Sequence, residues 1–86
     1  MMNVEENSKD LKEWRWQIYA VGYMDLPNHV SREIEKYYLK YLCDPVKYQH
    51  KITVQDESHF VNFREMTIHR NTPPVMISYE LRRYQR

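Results

Sequence analysis

Ser31-Arg32-Glu33-Ile34-Glu35-Lys36-Tyr37-Tyr38-Leu39-Lys40-Tyr41-Leu42 decides the fold. Ile34, Tyr37, Tyr38, Tyr41 and Leu42 recur at i, i+3, i+4, i+7 and i+8. That spacing puts five apolar side chains on one face of an α-helix. Ser31 reads as the N-cap, because its hydroxyl can accept from an unpaired N–H of the first turn. Glu33 then falls at the second helical position, where the positive end of the macrodipole favours a carboxylate. Arg32 with Glu35, and Glu33 with Lys36, can pair at i,i+3 on the wet side for a few tenths of a kcal/mol each. Cys43-Asp44-Pro45 closes the helix, since the residue before a proline avoids helical ψ.

Outward from the helix, both flanks read as strands. Trp14, Trp16 and Ile18 alternate with Arg15 and Gln17, the pattern of a half-buried strand. Trp16 is expected deeper than Trp14. Gly22 reads as a tight turn with positive φ leading to a short strand at Tyr23–Leu26, which Pro27 breaks. On the other flank, Tyr48, His50, Ile52 and Val54 alternate with polar residues, and Gln55-Asp56-Glu57-Ser58 reads as a polar turn. A strand starting at Phe60-Val61-Asn62-Phe63 is interrupted by Arg64-Glu65 and resumes at Met66-Thr67-Ile68. Asn71-Thr72-Pro73-Pro74 is a loop stiffened by its prolines. Val75, Ile77, Tyr79 and Leu81 form the last strand. The expectation is an α+β fold: a curled antiparallel half-barrel sheet of five to six short strands packed on one helix. Residues 1–12 read as a disordered lead-in and residues 13–86 as the domain.

Composition supports a small single domain. Of 86 residues, 42% are hydrophobic and 14% aromatic, which is enough for a core. A single glycine excludes Gly-rich phosphate loops and dinucleotide fingerprints. A net charge of +1 argues against a dedicated DNA-binding domain. One cysteine cannot form an internal disulfide and favours a reducing, intracellular compartment, cytoplasm or nucleus. No apolar run is long enough to span a membrane.

Catalytic signals are weak. The serines sit in no nucleophile elbow. Cys43 lies at a helix C-terminus, whose dipole disfavours a thiolate, and reads as a small apolar residue. His50, His59 and His69 match no local metal motif. No cofactor and no catalysis are expected. Binding chemistry is better represented, because aromatics and arginines on a curled sheet suit base stacking and phosphate recognition. The last stretch holds Arg70, Arg82, Arg83 and Arg86 against Glu80, although a charge run is more often a solvated face.

Trp16-Gln17-Ile18-Tyr19, Gly22-Tyr23 and Ser31-Arg32-Glu33-Ile34-Glu35-Lys36-Tyr37-Tyr38 resemble the first half of a WWE domain. Phe60-Val61-Asn62-Phe63-Arg64-Glu65-Met66 and Leu81-Arg82-Arg83 resemble its second half. The likeness covers residues 13–84. It implies a half-barrel packed on one helix, and a non-catalytic module of ADP-ribosyltransferases and ubiquitin ligases. Several members recognise iso-ADP-ribose in poly(ADP-ribose), or a terminal ADP-ribose.

Residue by residue, the first name-giving Trp matches Trp16 and the Glu matches Glu35, while Tyr23 replaces the second Trp. Leu26 stands where ligand-binding members place a phosphate-contacting Tyr, and His29 where they often place an Arg. His59 replaces a Tyr, and Ile68 replaces the Gln that hydrogen-bonds adenine. Tyr79 falls at the late phosphate-holding Arg on an ungapped count. Arg82 and Arg83 retain the terminal basic pair. The candidate pocket implied by the resemblance is therefore Tyr23, Leu26, His29, His59, Ile68, Tyr79, Arg82 and Arg83. With apolar side chains at two of these positions, binding of ADP-ribose or poly(ADP-ribose) is expected to be weakened or lost. The alternative is a protein-interaction or structural domain with no nucleotide ligand. RNA is a third, lesser partner class, and its mark would be strong salt dependence.

Overall fold

A computed structural model describes residues 14–71 and 77–85. The lead-in at 1–12, most of the proline loop, and Val75 and Met76 lie outside the described residues. The elements are β1 (Trp14–Tyr19), β2 (Tyr23–Asp25), α1 (Asn28–Cys43), β3 (Gln49–Val54), β4 (Glu57–Asn62), β5 (Thr67–Arg70) and β6 (Ser78–Gln85). Among the described residues, six strands join one antiparallel sheet in the order β2-β1-β6-β5-β4-β3. The fold is thus the expected α+β arrangement, with the interruption at Arg64-Glu65 serving as the turn between two strands.

Helix contacts support the curl. α1 packs on both β1 and β3, which are separated in the sheet by β6, β5 and β4. In a flat sheet those strands would lie about 19 Å apart at the usual spacing. A helix about 10–12 Å wide reaches both only if the sheet wraps around it.

Strand registers give every residue a face. Trp16 pairs with Arg83, Ile18 with Leu81 and with Met24, and Ile68 with Tyr79 and with Val61. His59 pairs with Ile52 and with Arg70. These residues share the concave face, because directly opposed residues point the same way. The core fills its helix-covered end with Trp16, Leu26, Val30, Ile34, Ile52, Val61, Phe63, Ile68 and Leu81. Tyr37, Tyr38 and Tyr41 of the helix stripe pack against it. Edge-to-face contacts link Trp16, Tyr38 and Phe63 at ring separations of 5.3–5.9 Å.

Three local readings change. First, α1 begins at Asn28, before Ser31, with Pro27 at the N-cap and no side-chain cap. Proline's fixed φ pre-organises the start, and the extra turn buries Val30 one turn before Ile34. Ser31 is buried, and its Oγ accepts the Trp16 backbone N–H at 2.9 Å. Glu33 consequently lies beyond the first turn, which holds no acidic residue. Second, Leu42 and Cys43 are exposed, so the apolar stripe ends at Tyr41 and the thiol is not a core residue.

Third, Gly22 does not adopt positive φ. A Cβ added there would meet nothing within 4 Å. Among the described residues, the left-handed ones are Gln55 (φ 51°), Asp56 (φ 66°) and Met66 (φ 54°). Val54 and Glu57 are directly paired, so Gln55-Asp56 alone connects β3 to β4. Positive φ at both central residues is the two-residue hairpin turn whose twist suits flanking strands. Glu57 and Ser58 therefore belong to β4 and not to the turn.

Candidate ligand-binding site

α1 covers only one end of the concave face. At the other end the sheet encloses an open cavity of about 300 Å³ lined by Val54, Gln55, Glu57, His59, Arg70, Ile77 and Tyr79. Each lining strand residue is placed by register. Val54 pairs with Glu57, and His59 with Arg70. Tyr79 pairs with Ile68 on the strand that carries Arg70. Arg70 donates to Glu57 Oε1 from Nε at 2.8 Å and also from Nη2. His59 Nδ1 lies 3.1 Å from the Glu57 carbonyl oxygen. A carbonyl can only accept, so Nδ1 is the donor in this contact.

The expected pocket residues divide among five places. His59 and Tyr79 meet at the mouth. Leu26 and Ile68 do not line it: both are buried in the core. His29 is exposed in the first turn of α1. Tyr23 and Arg82 lie on the convex face, with the guanidinium 3.7 Å from the Tyr23 ring centre. Arg82 also donates to Gln17 Oε1 at 3.1 and 2.7 Å.

Arg83 points the other way, into the edge of the core. It donates to both carboxylate oxygens of Glu35, at 2.9 and 2.5 Å. Trp16 Nε1 donates to the same Glu35 at 2.9 Å. The guanidinium also lies 3.7 Å from the Trp14 ring and 4.7 Å from Tyr38. Burial raises the Glu35 pKa, but hydrogen bonds from Arg83 and Trp16, together with the Arg83 charge, outweigh it and hold the carboxyl below its ordinary value. Glu35 therefore serves Arg83 and Trp16 rather than the i,i+3 pair with Arg32.

Sequence reasoning missed Glu57 and Arg70 as a mouth pair. Arg70 was part of a basic stretch and Glu57 part of a turn. The available signal was parity: starting the strand at Glu57 puts Glu57, His59 and Val61 on one face. The basic stretch is consequently no uniform cationic patch, since Arg70, Arg82 and Arg83 each engage a different partner.

A second cavity of about 360 Å³ lies between the start of β1 and the outer side of α1, and Trp14, Arg32, Lys36 and Leu39 contribute to its lining. Among the described residues, no cluster of His, Cys, Asp and Glu could hold a metal, and no helix is long and apolar enough to cross a membrane. The chain matches no protein-family model and no curated protein.

Proposed function

We propose that this chain is a non-catalytic binding module of the WWE type, acting in the ADP-ribosylation pathway within a larger intracellular protein, with weakened affinity for ADP-ribose ligands. The parent protein in this reading is an ADP-ribosyltransferase. The supporting observation is the composition of the mouth. His59 and Tyr79 offer ring surfaces, yet Arg70, its described cation, is already engaged by Glu57. A pyrophosphate entering there meets a neutralised guanidinium and a carboxylate. Leu26 and Ile68, matched to the Tyr and Gln of the resemblance, are buried in the core and bring no hydrogen-bonding group to the mouth. Each missing partner for a buried polar group costs about 1–3 kcal/mol. Two or three together weaken binding roughly 100-fold or more. The Trp16–Glu35 hydrogen bond adds support, since it joins the two positions matched to the family's Trp and Glu.

Calorimetric titration with iso-ADP-ribose and ADP-ribose tests the reading, and affinity well below the low-micromolar range is expected. Low-micromolar binding would refute the weakening. Amide shifts at millimolar ligand should cluster at His59, Arg70 and Tyr79.

The second reading is a protein-interaction domain with no nucleotide ligand. It is favoured by the α1–β1 groove, where half-exposed Leu39 and Trp14 adjoin Arg32 and Lys36. A spectrum silent to every nucleotide supports this reading over the first.

A further inference from the structure

We propose that the open end of the concave face is a nucleobase slot that prefers guanine to adenine. The proposal rests on the mouth being a nucleotide site and goes further by naming the base. Its walls are His59 on β4 and Tyr79 on β6, with β5 between them. His59 stands opposite Arg70 and Tyr79 opposite Ile68, so two strand spacings and a two-residue offset separate them by about 12 Å at the backbone. Each ring offers a π-face at the cavity on which a planar base can stack.

Hydrogen-bonding character is set by Glu57 and Arg70. Both Arg70 donors converge on Glu57 Oε1. Glu57 Oε2 therefore receives no donor among the described residues, and the guanidinium keeps N–H groups to spare. A free carboxylate acceptor thus stands beside a cationic donor. Guanine presents the complement: N1–H and N2–H adjoin each other for the carboxylate, with O6 alongside for the guanidinium. Adenine offers one donor beside one acceptor, and so makes one fewer charge-assisted bond.

Charge shapes the rest of the preference. The ion pair leaves no net charge from these two side chains, so the base and not the phosphate carries the affinity. Guanosine and GMP therefore bind alike.

Titrations of guanosine, GMP, AMP and ADP-ribose, followed by amide shifts, test this on the wild type and on Glu57→Gln and Arg70→Gln. GMP is expected to bind about 10-fold or more tightly than AMP, the worth of one charge-assisted hydrogen bond. Guanosine should match GMP within a few fold. Glu57→Gln should erase the preference. Glu57 and Arg70 are about half exposed, so both variants are expected to fold, with unchanged circular dichroism. Equal affinities for GMP and AMP overturn the proposal, as does a preference that survives Glu57→Gln. If ADP-ribose still shifts His59 and Tyr79 in that case, the mouth remains a nucleotide site. If no nucleotide shifts them, this proposal and the nucleotide-binding reading of the mouth fall together.

Discussion

Single polar side chains do much of the tethering. Ser31 Oγ takes the Trp16 backbone N–H from within the core. Ser31→Ala leaves that N–H buried without an acceptor, and equilibrium denaturation should register a loss of about 1–3 kcal/mol. Glu35 joins helix to sheet through Trp16 and Arg83. Its native pKa lies below the ordinary 4.5. Its contribution is therefore full above that value and is lost as pH falls through the lowered native one. Glu35→Gln should lower stability at pH 7 and flatten the stability profile below about pH 4.5. A variant whose acid limb superimposes on wild type would remove Glu35 from this role. Glu57→Gln, by contrast, should cost little, since exposed ion pairs contribute about 0–1 kcal/mol.

At the scale of elements, the turns divide unexpectedly. The chain's one glycine occupies a turn that does not require it, whereas Gln55, Asp56 and Met66 hold left-handed backbone. Gly22→Ala should raise stability by about 0.4–1 kcal/mol, by restricting the unfolded chain. Asp56→Gly should also stabilise, by up to roughly 1 kcal/mol, because it relieves a left-handed residue. Thermal melts of the two variants check this, and a lower midpoint for Gly22→Ala would contradict the turn geometry. The α1 boundary has the same lesson. Ser31 has the chemistry of a cap, but Pro27 starts the helix earlier and tertiary burial recruits the hydroxyl for Trp16.

Over the whole molecule, one aromatic cluster joins helix to sheet. Trp16 is fully buried and touches Tyr38 and Phe63. Trp16→Ala should cost about 3–5 kcal/mol. Tyr38 is only half-buried, so Tyr38→Ala should cost less. Denaturant titration ranks the pair, and a Trp16→Ala variant as stable as wild type would contradict this core.

The α1 stripe, the alternation in β1 and β3, and the element order were all legible locally, because helical and strand periodicities are properties of neighbouring residues. Ile34 and Trp16 each announced a buried face. The mouth was not legible in that way. Glu57 and Arg70 meet through the hairpin closed at residues 63–66, with Met66 left-handed. His59 and Tyr79 share a cavity because register and curl place them there. Leu26 and Ile68 turn inward for the same reason. Strand parity reverses with a one-residue slip, so the face each side chain takes, and thus the site, was decided only when the sheet closed around its helix.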